Sequence, residues 1–357
     1  MREGEMTPRE RWLAVLRHRK PDRVPMTYRA TEEATARLMR YLKCKNMREL
    51  YERLHIDRVI HVAPKYIGPP IPPDGDMFGC RYVEIMYGHG ENAGVYRECV
   101  YHPLAKFKTV REIEKEYKWP SVDWFDYSAI TDQIKGYEDI YPISGGGCEV
   151  FLIYKRLRGE KQAYLDLYLA PNIVHYCLDK LFDFYYEYTR LIFEQIPGKI
   201  LISSVSEDLG SQTGLLYSPK HIREYFLPRM KRMMDLIHHY GAYVMTHSDG
   251  AIRRIIPDLI SIGMDILDPI QWRCRGMDRE ELKRTFGDKI VFHGAMDNQK
   301  TLAFGSEEEI RQEVRDNIRI LGEGGGYILG PCHNIQVITP PKHIVAMYDE
   351  GYKSGWY

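Results

Sequence analysis

Residues 242–269 read AYVMTHSDGAIRRIIPDLISIGMDILDP, and the order of events in that stretch decides the fold. Ala242 to Thr246 is a short, strand-prone apolar run that breaks into the turn residues His247-Ser248-Asp249-Gly250. A helical stretch follows from Ala251, and Met264 to Pro269 is a second buried-strand pattern. The same alternation continues on both sides, with strands expected at Lys199 to Ser206, Ile290 to Gly294 and Gly326 to Gly330. Helices lie between them, such as the one that opens at Ser218-Pro219 and runs through His238.

Towards the amino end the signals are sparser but of the same kind. Thr7-Pro8-Arg9-Glu10 has an N-cap hydroxyl, a proline at the first helical position and a reciprocal glutamate, so a helix starts there. Strands are expected at Val24 to Tyr28, Asp57 to Val62 and Ile140 to Ser144, with helices from Thr31 to Leu42 and from Asn172 to Gln195. Residues 64–101 break the rhythm with proline- and glycine-rich turns and short β-prone runs, which suits a hairpin insertion over a barrel mouth. Eight strands with helices between most of them predict an α/β fold, a (β/α)8 TIM barrel made as a single domain by residues 1–357. A doubly wound open sheet has the same alternation. It would want Gly-x-Gly-x-x-Gly after its first strand, and that motif is missing there.

Composition narrows the class of function. Lysine plus arginine equal aspartate plus glutamate at 50 each, so no global field favours nucleic acid or an anionic membrane. A small, roughly neutral molecule or a protein is the expected partner, and a homo-oligomer stays open. Seven scattered cysteines in 357 residues lack the spacing of a disulfide scaffold and fit free thiols in a reducing compartment. The charged opening, Met1 to Glu5, lacks the apolar run of a signal peptide, and no stretch reaches spanning length, so a cytoplasmic location is expected.

In a barrel, residues just past each strand share one rim, where barrel enzymes keep their sites. That rim collects Tyr28, Arg29, His61, Lys65, Glu207, Asp208, His247, Asp249, Asp268, Gln271, His293, Asp297, Cys332 and His333. A catalytic zinc site takes three protein ligands and one open position. His247-x-Asp249 and Cys332-His333 offer imidazole, carboxylate and thiolate, and residues i and i+2 of a strand end project to one side. Each has a plainer reading: His247 as a hydrogen-bonded strand-end residue, Asp249 as a turn and helix cap, Cys332 as a small buried hydrophobe, Glu207 as a loop cap. Gly145-Gly146-Gly147 either brings backbone amides to a ligand or lets the chain turn sharply.

The motifs His247-Ser248-Asp249-Gly250, Gly263-Met264-Asp265-Ile266-Leu267-Asp268-Pro269, His293-Gly294-Ala295-Met296-Asp297 and Gly330-Pro331-Cys332-His333-Asn334 together resemble the uroporphyrinogen decarboxylase superfamily. Pro21-Asp22-Arg23-Val24-Pro25 resembles its opening. The resemblance implies the (β/α)8 barrel and two chemistries. True decarboxylases carry an arginine-rich segment after the first strand and an aspartate after the next. Here those places read Val24-Pro25-Met26-Thr27-Tyr28-Arg29-Ala30 and Ile60-His61-Val62-Ala63-Pro64, with one arginine and no aspartate. The other branch, the corrinoid-dependent methyltransferases and O-demethylases, implies zinc bound through His-x-Cys and a later cysteine. Asp249 stands here in place of the first cysteine.

The expectation is therefore zinc held by His247, Asp249, Cys332 and His333, with His293, Asp297 and Glu207 as catalytic groups. Tyr28, Arg29, His61, Gln271 and Asn334 are expected to contact substrate. The expected reaction moves a methyl group from a small, O-methylated donor to the cobalamin of a partner corrinoid protein. A uroporphyrinogen-type decarboxylase and a non-catalytic barrel relative are the alternatives.

Overall fold

The computed structural model describes residues 4–357, so part of the charged opening Met1 to Glu5 lies outside the described residues. Seven strands form one sheet: β1 (Ile60–Val62), β2 (Ile143–Cys148), β3 (Ile202–Val205), β4 (Tyr243–His247), β5 (Ile266–Asp268), β6 (Val291–Met296) and β7 (Tyr327–Pro331). Each pairs in parallel with the next in sequence, and helices cross over between most of them. This is the α/β barrel that the alternation predicts.

Closure depends on residues 24–30. Thr27 N–H donates to the Leu329 carbonyl and Leu329 N–H to the Pro25 carbonyl, each at 2.9 Å, which ties the segment to β7. On its other side Asp57 N–H donates to the Met26 carbonyl at 2.8 Å, just ahead of β1. The expected strand at Val24 to Tyr28 is thus present as an isolated parallel bridge, Met26 to Leu329, with a second, Ala30 to Ile335, just past its end. Pro25 has no N–H to extend a ladder, which explains why the eighth position is discontinuous.

A buried ion network holds that segment at the end of the barrel opposite the mouth. Asp57 accepts from Arg11, from Arg23 Nη1 at 2.8 Å and from Met26 N–H at 2.8 Å. Arg11 also grips Asp22 through Nε at 2.7 Å. Burial alone would raise the Asp22 pKa, but the Arg11 bonds outweigh it and hold the carboxyl below its ordinary value.

The local signals translate directly into structure. The capping box at Thr7 opens Pro8–Leu16, Thr31 caps Glu32–Leu42, and the long amphipathic stretch is the helix Pro171–Gln195. The helical run from Ser218 proceeds through a π-turn at Ile222–Phe226 into Leu227–His239. Gly147 answers the question left by its glycine run: a Cβ there would lie 1.8 Å from the Ser204 carbonyl oxygen, so close strand packing demands glycine. The insertion is an antiparallel hairpin, Arg81–Tyr87 with Gly94–Tyr101. Its tip is tied to the rim by Tyr87 Oη donating to Gln336 at 2.7 Å and by Val95 N–H donating to Glu33 at 3.0 Å. Among the described residues no helix is long and apolar enough to cross a membrane.

Removing one member of a buried ion group strands the others without compensation. Asp57→Ala should therefore lower stability by about 3–5 kcal/mol in urea unfolding. A loss below about 1 kcal/mol, the scale of an exposed pair, would show that closure does not depend on this group.

Candidate metal centre

β4 and β5 lie in register with His247 opposite Asp268, so two chemically active side chains end adjacent strands at the mouth. Asp268 is buried and uses both carboxylate oxygens on imidazoles. His247 Nδ1 lies 2.9 Å from Oδ2, and His293 Nδ1 lies 2.5 Å from Oδ1. Arg29 Nη1 adds a longer contact to Oδ2 at 3.4 Å. Burial by itself would push the Asp268 pKa up; the two imidazoles and the guanidinium overcome it and hold the carboxyl well below its usual range. For His247 burial works downwards, and the bond to Asp268 prevails, raising the imidazole above its ordinary value.

With Nδ1 committed to Asp268, the Nε2 of His247 is aimed at two carboxylates. It lies 3.7 Å from Asp208 Oδ1 and 3.9 Å from Asp249 Oδ1, and all three ligand atoms fall within 4.8 Å of one another. Two donors each bonded to one tetrahedral zinc would be about 3.4 Å apart. The two His247 contacts are within about half an ångström of that spacing, and drawing the two carboxylates together would complete a site for a divalent cation. Gln271 steadies it, donating from Nε2 to Asp249 Oδ1 at 3.0 Å while its Oε1 accepts from Gly250 N–H at 2.8 Å. His333 Nε2 stands 3.8 Å from Asp249 Oδ2, on the side open to solvent. Burial raises the pKa of Asp249, and burial followed by the charge of Asp208 raises that of nearby Glu149.

Several expected site residues are placed elsewhere. Cys332 is buried outside this group, its thiol donating to the Ile270 carbonyl at 3.1 Å, and burial holds it protonated. Tyr28 points out of the barrel towards the helices, bonded to Thr35 at 3.0 Å, with burial pushing its pKa up to about 12. The pleat explains this: Thr27 and Arg29 face the lumen, so Tyr28 between them cannot. Glu207 caps the helix Val150–Arg158 by accepting from Phe151 N–H at 2.9 Å, and burial pushes its pKa up to about 8.

Asp297 is held by Arg273 at 2.5 Å and accepts from Gln299 N–H at 3.0 Å. His293 has both ring nitrogens engaged, Nε2 lying 2.8 Å from Thr27 Oγ1. A Cβ on Gly330 would sit 2.5 Å from that same oxygen, so the contact requires glycine in β7. His61 lies 3.3 Å from Ser144 Oγ, outside the carboxylate group. Asn334 lines a cleft of about 460 Å³ that also includes Asp249 and His333. Chemistry rather than volume places the site, since a larger hollow of about 630 Å³ lies at the opposite end among Arg11, Arg23 and Tyr352.

Asp268 and Thr27 were not assigned roles by the sequence, although the strand-end position of Asp268 was visible there. The comparisons with known proteins agree with this architecture. The uroporphyrinogen decarboxylase (URO-D) family profile matches residues 152–353. The chain belongs to the uroporphyrinogen decarboxylase family. It is 24% identical over 216 residues to the uroporphyrinogen decarboxylase of Aliivibrio salmonicida, covering 58% of this chain and 54% of that one. The corresponding protein of Pseudoalteromonas atlantica is 24% identical over 226 residues, covering 60% and 55%. The chain thus spans about half the length of the curated relatives it matches. A solved methyltransferase from Methanosarcina mazei shares the fold along 98% of this chain and 99% of its own, with a TM-score of 0.68 at 17% identity.

A carboxylate behind a metal-binding histidine fixes its tautomer and basicity, an effect worth roughly 10–100-fold in metal affinity. Asp268→Asn should weaken zinc binding by about that factor in chelator competition, and His247→Ala should abolish it, with circular dichroism confirming that both variants fold. Wild-type affinity in Asp268→Asn would contradict the role of the bridge.

Proposed function

We propose that this protein is a zinc-assisted methyltransferase that moves a methyl group from a small O-methylated substrate to the cobalamin of a separate corrinoid protein. The observation that carries the reading is the Asp208, His247 and Asp249 group at the mouth, backed by Asp268. Zinc bound there supplies Lewis acidity towards the departing oxygen. Two carboxylates in place of thiolates leave such an ion more strongly acidic, which suits an oxygen leaving group better than a thiol.

The remaining work belongs to the chain. Asp268 keeps Nε2 of His247 free to bind, and Gln271 holds Asp249 in position. Arg29, its side chain 38% exposed and its Nη1 3.4 Å from Asp268, adds a positive charge at the edge of the group. His333, half exposed beside Asp249, can return a proton to the oxygen that loses its methyl group.

The rival reading is decarboxylation of a porphyrinogen, which the names of the relatives suggest. The mouth opposes it electrostatically: Asp208, Asp249 and Glu149 present acidic groups, and Arg29 is already shared with Asp268. A polyanionic ring would meet charge of its own sign.

Incubating the zinc-loaded protein with O-methyl donors and free cob(I)alamin should yield methylcobalamin. His247→Ala should slow this about a hundredfold, as expected if Lewis acid stabilisation contributes about 3 kcal/mol. Carbon dioxide release from uroporphyrinogen, with no methyl transfer to any donor tested, would establish the rival.

A further inference from the structure

Beside the cation group lies a cleft whose lining does not match an ionic ligand. It is about 460 Å³, within the range of small-molecule pockets, and runs from Asp249 and His333 to Phe304 and Ile338. Among the described residues its lining includes no lysine or arginine, and Asp249 supplies negative charge at the inner end. A carboxylate or phosphate would lack its usual partner there.

The lining is rich in carboxamides instead, and much of their capacity is unspent. Asn298 Nδ2 donates to the Asn334 carbonyl at 3.3 Å, cross-tying the loops after β6 and β7, and its Oδ1 has no hydrogen bond among the described residues. Among the described residues Gln212 Oε1 accepts only from the Cys274 thiol, at 3.4 Å, and Nε2 has no partner. The amides of Gln299 and Asn334 make no side-chain hydrogen bond among the described residues, so each offers both a donor and acceptors. At the outer end Phe304 is 68% exposed and Ile338 42% exposed, an apolar wall facing those amides.

Only some molecules satisfy both surfaces. A sugar or cyclitol carries hydroxyls around its edge, each able to donate and accept as a carboxamide does, and a face of C–H groups that packs on an aromatic ring. An apolar aromatic ether would leave the amides unpaired, which is costly once water is expelled. A quaternary ammonium group wants a cage of several aromatic faces, and this cleft has one.

We propose that this cleft binds a neutral polyhydroxylated ring, so that the substrate at the cation site is an O-methylated polyol or sugar. The proposal rests on the methyl-transfer reading for the word substrate but not for the binding itself. Asp249 joins the two: it borders the cleft and stands 3.9 Å from His247 Nε2, so a ring seated on the amides brings an ether oxygen to the cation group.

Calorimetric binding to the zinc-loaded protein tests this with three probes: a monomethyl ether of inositol, methoxybenzoate and tetramethylammonium. The inositol ether should bind most tightly. Phe304→Ala and Asn334→Ala should each weaken it about tenfold, the equivalent of roughly 1.4 kcal/mol, while zinc content stays at the wild-type level. Both side chains lack internal hydrogen bonds, so the variants should keep the wild-type melting temperature. Preference for either charged probe, or polyol binding indifferent to both substitutions, overturns the proposal. Zinc retained without polyol binding would refute this assignment alone. Polyol binding in a protein that takes up no zinc would support the cleft and refute the methyl-transfer reading.

Discussion

A buried carboxylate shared by two imidazoles is the constraint on which the mouth of this barrel depends. An ionised aspartate away from water is tolerated only when its oxygens are occupied by charged or strongly donating partners. Asp268 has His247 on one oxygen and His293 on the other, with Arg29 beyond. The arrangement works in both directions. The histidines keep Asp268 ionised, and Asp268 keeps each ring turned so that its remote nitrogen points where the site needs it. For His247 that is towards Asp208 and Asp249, and for His293 it is towards Thr27.

The two ends of the barrel divide the labour. At the far end Arg11, Asp22, Arg23 and Asp57 close the cylinder by holding residues 24–27 between β7 and β1. That closure is what carries Thr27 and Arg29 into the lumen, where they meet His293 and Asp268. The arrangement at the mouth is therefore conditional on a salt-bridge group on the opposite face. The loops of the mouth are free to vary around a fixed core, the usual logic of barrel enzymes.

The fold was legible because parallel barrel strands are buried on both faces and stand out as short apolar runs between helices. The segment at Val24 to Tyr28 was legible as apolar but not as an isolated bridge, since the effect of Pro25 depends on which neighbour it faces. The closeness of His247 and Asp249 is readable from their i, i+2 spacing, and that of Asp208 from its place after β3. Tyr28 and Cys332 lie outside that group: strand-end position gives the rim but not the side of the pleat, which turns Tyr28 to Thr35, and Cys332 is spent on the Ile270 carbonyl. Glu207 shows that a loop carboxylate can as readily cap a helix as face a ligand, since it accepts from Phe151 N–H. The bridge through Asp268 could not be read at all from spacing, because it joins three strands through a register that only the folded sheet establishes.

Anomalous diffraction from crystals grown with zinc addresses the central claim most directly. The account predicts one peak within bonding distance, about 2.0–2.2 Å, of His247 Nε2 and of oxygens from Asp208 and Asp249, with His247 Nδ1 still on Asp268. A peak bound instead by Cys332, or a His247 ring turned away from Asp268 with no metal beside it, would contradict it.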